Sequence, residues 1–330
     1  MTGPVTVAPS RLAAQAPLAA ALALLAALAL VCASAPGGMA VAVVVLGAGP
    51  HNWFEARYLL SRMPARWGRL RAYFLTGICG VVVLAAAFAV LVMQSSALGP
   101  DPSRRLLWLA LWHTALVSWI AALVMLRGAQ APRREWPWLV PVGLAYLAFA
   151  WAVPDWASVA LVYAHPLLAL VFLERELAVR RQRWLPVYRT ALAMLPLAVA
   201  LVWWTTPTLQ AAIITESAEA AQAGAFLLPD GVATVVLATH VFLESLHYIV
   251  WIVAIPIATA AVPWNIRRVP LAARSLAWRR GLGLVLAAGL ALVAVLWIAF
   301  AIDYATTRQV YFTVAIVHVL AEVPFLLRLL

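Results

Sequence analysis

Runs of about twenty apolar residues dominate the chain and constrain its fold more than any other feature. Of the 330 residues, 66% are hydrophobic and only 11% are charged, whereas soluble domains are about one quarter charged. A helix needs about 20 apolar residues to cross the hydrocarbon core of a bilayer. The pattern therefore predicts an all-α, polytopic integral membrane bundle, with residues 1–330 forming a single transmembrane domain.

Breaker residues divide the apolar runs into ten predicted spans. Pro36 with two glycines separates the first two runs, and Pro154 with Asp155 leaves the fifth and sixth as a tight hairpin. Only Arg11 precedes residues 18–34, which favours a retained span over a cleaved signal peptide. The predicted spans are 17–35, 38–57, 72–94, 105–126, 136–153, 155–174, 185–205, 232–258, 281–302 and 308–328.

The basic residues of the chain, all of them arginine, are concentrated in alternate loops. The arginine-rich loops are 57–71, 127–135, 175–189 and 263–280. Because cytoplasmic loops are enriched in basic residues, we predict that these loops and both termini face the cytoplasm. Loop 206–231 has acidic residues but no arginine, which predicts an extracytoplasmic loop. This distribution argues against a nucleic-acid groove and favours membrane lipids as the partners of the arginines.

The chain has six histidines, and every one of them falls inside a predicted span. They are His51, His113, His165, His240, His247 and His318. All lie on even-numbered spans, which run inwards from the outer surface. Counted from that surface, His51 and His247 lie deepest, whereas the other four share one layer roughly 12–15 Å down at about 1.5 Å per residue.

Three of these spans carry a histidine followed four residues later by a glutamate. The pairs are His51–Glu55, His240–Glu244 and His318–Glu322. Residues four apart lie on one face of a helix, so each pair can point at a common centre. His247 follows Glu244 by three residues and shares its helix face. The repetition of one spacing indicates a shared polar site inside the bundle.

These glutamates and histidines need partners within the membrane. An uncompensated carboxylate there costs several kcal/mol, so intramembrane ionisable residues usually face the protein interior and carry function. No arginine lies at their depth, which favours a bound cation. Imidazole with carboxylate suits iron, zinc or manganese, and we expect iron. The predicted metal ligands are His240, Glu244, His247, His318, Glu322, His51, Glu55, His165 and His113.

The sequence leaves open whether the site holds one ion or two. His240 and His247 lie about 10 Å apart along the helix axis, close to the limit for sharing a single ion. A dinuclear centre with Glu244 between them fits more easily. The alternative is a mononuclear layer in which the deeper residues orient the ligands. Its four histidines would be His113, His165, His240 and His318.

Two of the histidines also have plain structural interpretations. His113 has no carboxylate three or four residues away, and a helix–helix hydrogen bond would explain it equally well. His165 precedes Pro166, which frees backbone carbonyls that the imidazole could satisfy. For the whole set, a proton pathway without metal or purely structural polar packing are the alternatives to a metal site.

A metal centre among apolar helices favours a substrate that arrives through the bilayer. We expect a membrane oxidoreductase in which non-haem iron activates O2 to oxidise, desaturate or cleave a lipid, quinone or isoprenoid. With histidines on several spans of a helical protein of this size, the chain resembles polytopic, histidine-ligated membrane iron enzymes such as bacterial β-carotene dioxygenases. That resemblance implies iron, a lipophilic substrate and the bacterial cytoplasmic (inner) membrane. The HxxxH and HxxHH boxes of fatty acid desaturases are absent.

Two other functions fit parts of the pattern. HNWFE, residues 51–55, resembles the HNxx(D/E) element of ZIP-type zinc and iron transporters, which implies metal transport. That family also has an HExxH-like span, of which only Glu244 and His247 are present here, and ten spans are too many. The third possibility is haem held by axial histidines from facing helices, without the CxxCH motif that covalent attachment would need.

Overall fold

The computed structural model describes residues 11–97, 102–130, 136–206, 223–224, 227–228, 232–260 and 264–329. Within these ranges the chain is helical and contains no β-strand, which confirms the all-α prediction. The predicted extracytoplasmic loop 206–231 lies almost wholly outside the described residues, so its position stays a prediction.

Every predicted span coincides with helix in the described part of the chain. The helices are α1 (Arg11–Ser34), α2 (Pro36–Arg62), α3 (Arg71–Ala97), α4 (Pro102–Gln130), α5 (Leu139–Ala152), α6 (Pro154–Arg180), α7 (Leu185–Ala193), α8 (Leu195–Thr205), α9 (Ala233–Ile249), α10 (Ile255–Thr259), α11 (Leu276–Ile302) and α12 (Tyr304–Leu329). Short 3-10 turns cover Gly68–Leu70, Gln182–Trp184 and Ile266–Arg268.

Two predicted spans are interrupted. The seventh breaks at Met194 into α7 and α8, because Pro196 at the start of α8 has no N–H to continue the ladder of the preceding helix. The eighth contains a π-helical turn, Val250–Ala254, between α9 and α10. Pro256 stands in the first turn of α10, where proline is well tolerated.

In the described part of the chain, eight helical segments are long and apolar enough to cross a membrane, which indicates an integral membrane protein. They are Ala16–Ser34, Gly68–Met93, Ser103–Gln130, Pro154–Arg180, Gln182–Thr205, Ala233–Thr259, Leu276–Ile302 and Tyr304–Leu329. The predicted count of ten is not confirmed. Helix α5 has only 14 residues, about 21 Å at 1.5 Å per residue. Helix α2 is longer, with 27 residues, but polar residues from His51 onwards lower its hydropathy.

The chain divides into two compact units. The first comprises residues 1–41 and 173–246, and the second comprises residues 42–172 and 247–330. In the first unit, α1 packs against α7 and α8. There the Sγ atom of Cys32 lies 3.9 Å from Oγ of Ser245.

In the second unit, α3 packs against α4 and α12, and α12 also packs against α4 and α11. The buried hydroxyl of Tyr73 on α3 donates to the carbonyl of Pro324 on α12 at 2.6 Å. The α3–α4 contact is close because Gly80 has no side chain: a Cβ there would overlap the indole of Trp119. That indole donates to the carbonyl of Thr76 at 2.9 Å. Small residues allow such close helix contacts in membranes.

Side chains cap the beginnings of α11 and α12. Ser275 accepts a hydrogen bond from the backbone N–H of Trp278 at 3.2 Å, and Asp303 accepts one from that of Thr306 at 3.1 Å. Such caps satisfy N–H groups that the first helical turn leaves unpaired. Hydrogen bonds from the side chain and backbone of Thr306 also hold the pKa of Asp303 below its ordinary value. The second cap fixes the start of α12, which carries His318 and Glu322.

Candidate metal centre

Four side chains of the second unit converge on one point. They are His51 and Glu55 from α2, His247 from α9 and His318 from α12, and each has a ligand atom within 4.8 Å of those of the other three. His51 and Glu55 are each 1% exposed and His247 is 2% exposed. The i,i+4 pair on α2 therefore points inwards, as its spacing predicts.

His165 on α6 completes a ring of imidazoles. Nε2 of His318 lies 3.5 Å from Nε2 of His51 and 3.3 Å from Nε2 of His165. The imidazole of His247 closes the ring, with centroids 5.3 Å from that of His51 and 4.6 Å from that of His165. Four helices thus each contribute one imidazole to a common centre.

Backbone carbonyls orient two of these imidazoles. Nδ1 of His51 lies 3.3 Å from the carbonyl oxygen of Gly47, and Nδ1 of His247 lies 3.3 Å from that of Pro166. A carbonyl can only accept, so we assign the proton to Nδ1 and the lone pair to Nε2 in both rings. Nε2 of His247 is buried without a hydrogen-bond partner in the described chain. In metal-binding histidines, the ring nitrogen that does not bind the metal usually donates to a carbonyl or carboxylate, as Nδ1 does here.

Two residues that sequence reasoning missed support His51. Its ring stacks on the ring of Tyr248, with centroids 4.0 Å apart and planes inclined by 20°. Gly47 makes room for this stack, because a Cβ at that position would overlap the ring of Tyr248. The available signals were slight: Tyr248 directly follows His247, and Gly47 lies one helical turn before His51.

Two buried glutamates accompany the imidazoles. Oε2 of Glu322, which is 0% exposed, lies 3.2 Å from Nδ1 of His165. Oε2 of Glu55 is buried without a hydrogen-bond partner within the described residues. No described arginine forms an ion pair with either carboxylate. Buried negative charge of this kind needs a cation or protons for compensation.

Asn52 and Tyr311 hold α2 against α12 beside the imidazoles. The amide nitrogen of Asn52 donates to the hydroxyl of Tyr311 at 3.0 Å, and that hydroxyl lies 3.4 Å from the carbonyl of Ala48, to which it donates. The role of Asn52 was open from the sequence. Its position indicates that it fixes the register between the helices that carry His51 and His318.

A π-helical turn begins three residues after His247. Trp251 within it is fully buried, and its ring lies 5.4 Å from the rings of both Tyr58 and Phe172. These contacts indicate that Trp251 packs in the core of the unit. Single π turns occur mostly inside α-helices and frequently at functional sites.

His113 lies in a different polar network of the same unit. Its Nδ1 lies 2.9 Å from the hydroxyl of Tyr146, and its Nε2 lies 3.0 Å from Oγ of Ser158. Ser158 in turn donates to the carbonyl of Pro154 at 3.2 Å. These bonds link α4, α5 and α6, which supports the interpretation of His113 as a helix–helix hydrogen-bonding residue.

His240 and Glu244 belong to the first unit. Both are buried, and Nδ1 of His240 lies 4.0 Å from Oε2 of Glu244. They precede His247 on α9 but are not members of the converging group of four. Their assignment as metal ligands stays a prediction.

The fold and the site together define an all-helical protein with apolar, membrane-length helices and a candidate histidine–glutamate metal centre. No protein family, no curated protein and no solved structure matches the chain. The resemblances to β-carotene dioxygenases and to ZIP transporters therefore stay expectations.

Proposed function

We propose that the protein is an integral membrane oxidoreductase that uses a metal ion, most simply iron, to act with O2 on a lipophilic substrate. The observation that carries this proposal is the convergence of His51, Glu55, His247 and His318 in the interior of a chain of membrane-length apolar helices. Such ionisable groups inside a membrane protein usually serve function. Iron, when bound, would supply the activation of O2.

The need for redox chemistry and the spacing of the imidazoles favour non-haem iron over zinc and haem. Imidazole and carboxylate suit iron, zinc and manganese, but zinc has no redox chemistry. Haem fits the geometry poorly, because Nε2 of His318 lies 3.5 Å and 3.3 Å from Nε2 of His51 and of His165. A porphyrin plane needs clear space around its axial ligands, and neighbouring imidazoles already occupy that space.

The residues of the chain have distinct tasks in this proposal. The imidazoles and Glu55 bind the ion, while the carbonyls of Gly47 and Pro166 aim the rings of His51 and His247. Burial of the group excludes bulk water, which strengthens electrostatic interactions inside the site.

The proposal includes a membrane topology. We place ten spans in the bacterial cytoplasmic membrane, with both termini in the cytoplasm, as the arginine distribution predicts. Helices α2 and α5 supply the two spans beyond the eight that meet the length and composition criteria. The inward-facing His51 and Glu55 support this for α2, because they account for its lower hydropathy. An apolar substrate would then reach the centre from the bilayer.

Metal analysis of the purified protein, with an absorbance scan, tests the proposal first. We expect stoichiometric iron without a Soret band. Fe²⁺-loaded protein should then consume O2 in the presence of at least one of three probes: a carotenoid, a ubiquinol or an unsaturated fatty acid. His247→Ala should abolish both iron binding and O2 consumption. Iron-free protein, or iron that survives His247→Ala, would overturn the assignment.

Metal transport is the second candidate, and one observation favours it. His51 and Glu55, the two ends of the transporter-like HNWFE element, both belong to the converging group. Uptake of Zn²⁺ or Fe²⁺ into proteoliposomes, abolished by Glu55→Gln, would support transport. Iron bound with no uptake and with O2 consumption would exclude it.

A further inference from the structure

We infer that the centre holds a single divalent metal ion, bound by four imidazole Nε2 atoms and Glu55, and that Glu322 is a positioning residue for His165. Three of the imidazoles, those of His51, His247 and His318, belong with Glu55 to the converging group. The fourth, that of His165, lies outside that group and joins it through the 3.3 Å between its Nε2 and that of His318. This inference rests on the metal centre of the proposed function and addresses what the sequence left open, namely whether the site holds one ion or two.

The spacing of the imidazoles fits one ion. With metal–nitrogen distances of about 2.0–2.1 Å, two nitrogens bound to one ion lie at most about 4.2 Å apart, whatever the coordination number. The measured Nε2 separations are 3.5 Å between His51 and His318 and 3.3 Å between His318 and His165. Two ions would stand about 3.5–4 Å apart and would divide the imidazoles into two groups.

The ring centroids lead to the same conclusion. Around the cycle His51, His318, His165 and His247 the centroids are 5.0, 5.1, 4.6 and 5.3 Å apart. No pair is set apart from the others, so the rings surround one point. Each ring also comes from a different helix.

The buried charge also fits one ion. Glu55 and Glu322 are fully enclosed and carry two negative charges when ionised, and one divalent cation neutralises them. Two divalent cations would leave two positive charges uncompensated at this position. An uncompensated charge in an apolar interior costs several kcal/mol.

The two glutamates differ in what they contact. Glu55 has an oxygen within the converging group, and its Oε2 has no hydrogen-bond partner in the described part of the chain. Both oxygens of Glu322 also have no hydrogen-bond partner in the described part of the chain, but its Oε2 lies 3.2 Å from Nδ1 of His165, on the side of the ring away from Nε2. Its carboxylate would hold the proton on Nδ1 and direct the Nε2 lone pair towards the centre, as carboxylates behind metal-binding histidines do.

The experiment loads metal-free full-length protein with Co²⁺ alone and measures bound cobalt per chain, the dissociation constant and the visible spectrum of the bound ion. We expect one Co²⁺ per chain. Glu322→Gln should keep that stoichiometry, weaken binding about 10–100-fold and shift the spectrum, because the amide binds Nδ1–H less strongly. Glu322→Leu should weaken binding further, and Glu322→Asp should weaken it less than leucine does. The matched control, Glu174→Gln, alters a carboxylate paired with Arg189 and should change nothing.

The outcomes separate this inference from the proposed function. Two cobalt ions per wild-type chain, or loss of one ion in His240→Ala or Glu244→Gln, would overturn the single ion and leave the oxidoreductase standing. One ion per chain, with Fe²⁺-loaded protein inert towards O2 and every probe, would overturn the oxidoreductase and leave the single ion standing. Unchanged affinity and spectrum in both Glu322→Gln and Glu322→Asp would overturn the positioning role. The wild-type stoichiometry is decisive for the number of ions even if a variant fails to fold.

Discussion

His113 and the histidines of the candidate centre belong to the same unit, yet their ring nitrogens meet different groups. Both nitrogens of His113 lie within 3.0 Å of a hydroxyl, from Tyr146 and Ser158. In the centre, the Nε2 atoms of His51 and His318 face each other, and that of His247 has no hydrogen-bond partner in the described chain. Hydroxyls can donate or accept and so complete a network, whereas the Nε2 lone pairs assigned to His51 and His247 leave a place for a cation. Burial alone therefore does not separate structural histidines from candidate ligands.

Removal of the metal should have the largest effect. A ligand that binds only the folded state stabilises it by about 4 kcal/mol when its free concentration is 1,000 times the dissociation constant. Prolonged dialysis against a chelator should lower the melting temperature of the wild-type protein in detergent, and added Fe²⁺ should restore it. An unchanged melting temperature in metal-depleted protein would show that the centre is held by hydrogen bonds like the His113 network.

His318→Ala tests whether the imidazole of His318 is a metal ligand. We expect metal affinity to fall by more than about 100-fold, since loss of an outer hydrogen-bond partner alone costs about 10–100-fold. The matched control is His113→Ala, which removes a fully buried imidazole and should leave bound metal per folded chain unchanged. Metal analysis after size-exclusion chromatography measures both. Equal loss of metal in the two variants would show that the candidate centre and the His113 network do not differ in metal binding.

Gly47→Ala tests the support of His51. The added methyl group would overlap the ring of Tyr248, and overpacking of this kind costs about 1–3 kcal/mol. Because Tyr248 stacks on His51, metal affinity should fall together with the melting temperature. Gly128→Ala is the control, because nothing lies within 4 Å of a Cβ at that position. If Gly47→Ala kept the melting temperature and the metal affinity of the wild-type protein, the stack of Tyr248 on His51 would not be needed for metal binding.

His113→Ala should reduce stability without affecting the metal. It removes both hydrogen bonds of the buried imidazole, to the hydroxyls of Tyr146 and Ser158, and each such bond contributes about 0.5–1.5 kcal/mol. Thermal unfolding followed by circular dichroism measures the loss. If stability were unchanged, water would be able to replace the imidazole, and the network would not be a structural link between α4, α5 and α6.

Tyr146→Phe should have the smallest effect. It removes one of the two hydrogen bonds to His113, and a single such bond contributes about 0.5–1.5 kcal/mol. The same unfolding measurement, with His113→Ala and the double variant, completes a cycle. Additive losses would show that the hydroxyl and the imidazole act independently, contrary to the 2.9 Å contact.

Composition and apolar run length were enough to predict the helices. Each predicted span is helical, because long uncharged runs have no other way to satisfy their backbone in a membrane. The break at Met194 was also visible in principle, since Pro196 cannot extend a helix. The number of spans was less predictable, because α2 combines a membrane-length helix with the polar residues of the site.

The candidate site was predictable in its residue types but not in its grouping. The four-residue spacing correctly placed His51 and Glu55 on one inward face of α2. Depth counting put His247 below the layer of His165, yet their rings lie 4.6 Å apart. Estimating depth from residue number assumes that all helices begin at the same depth and run parallel. No sequence pattern shows how far one helix is shifted along its axis relative to another. The contacts of Gly47 and Tyr248 depend on packing between helices and were equally hidden.

The π turn at Val250–Ala254 has a consequence for chain length. Such a turn closes hydrogen bonds over five residues instead of four, so it takes up one residue more than an α-helical turn. Before it, His247 and Tyr248 face the candidate centre, and after it Ile255 and Ala258 are buried. An uninterrupted helix would rotate one of these sets by about 100° relative to the other. The additional residue allows the residues before and after the turn to face different neighbours within one helical segment. The number of residues in this segment therefore matters to the centre, in addition to the identity of its side chains.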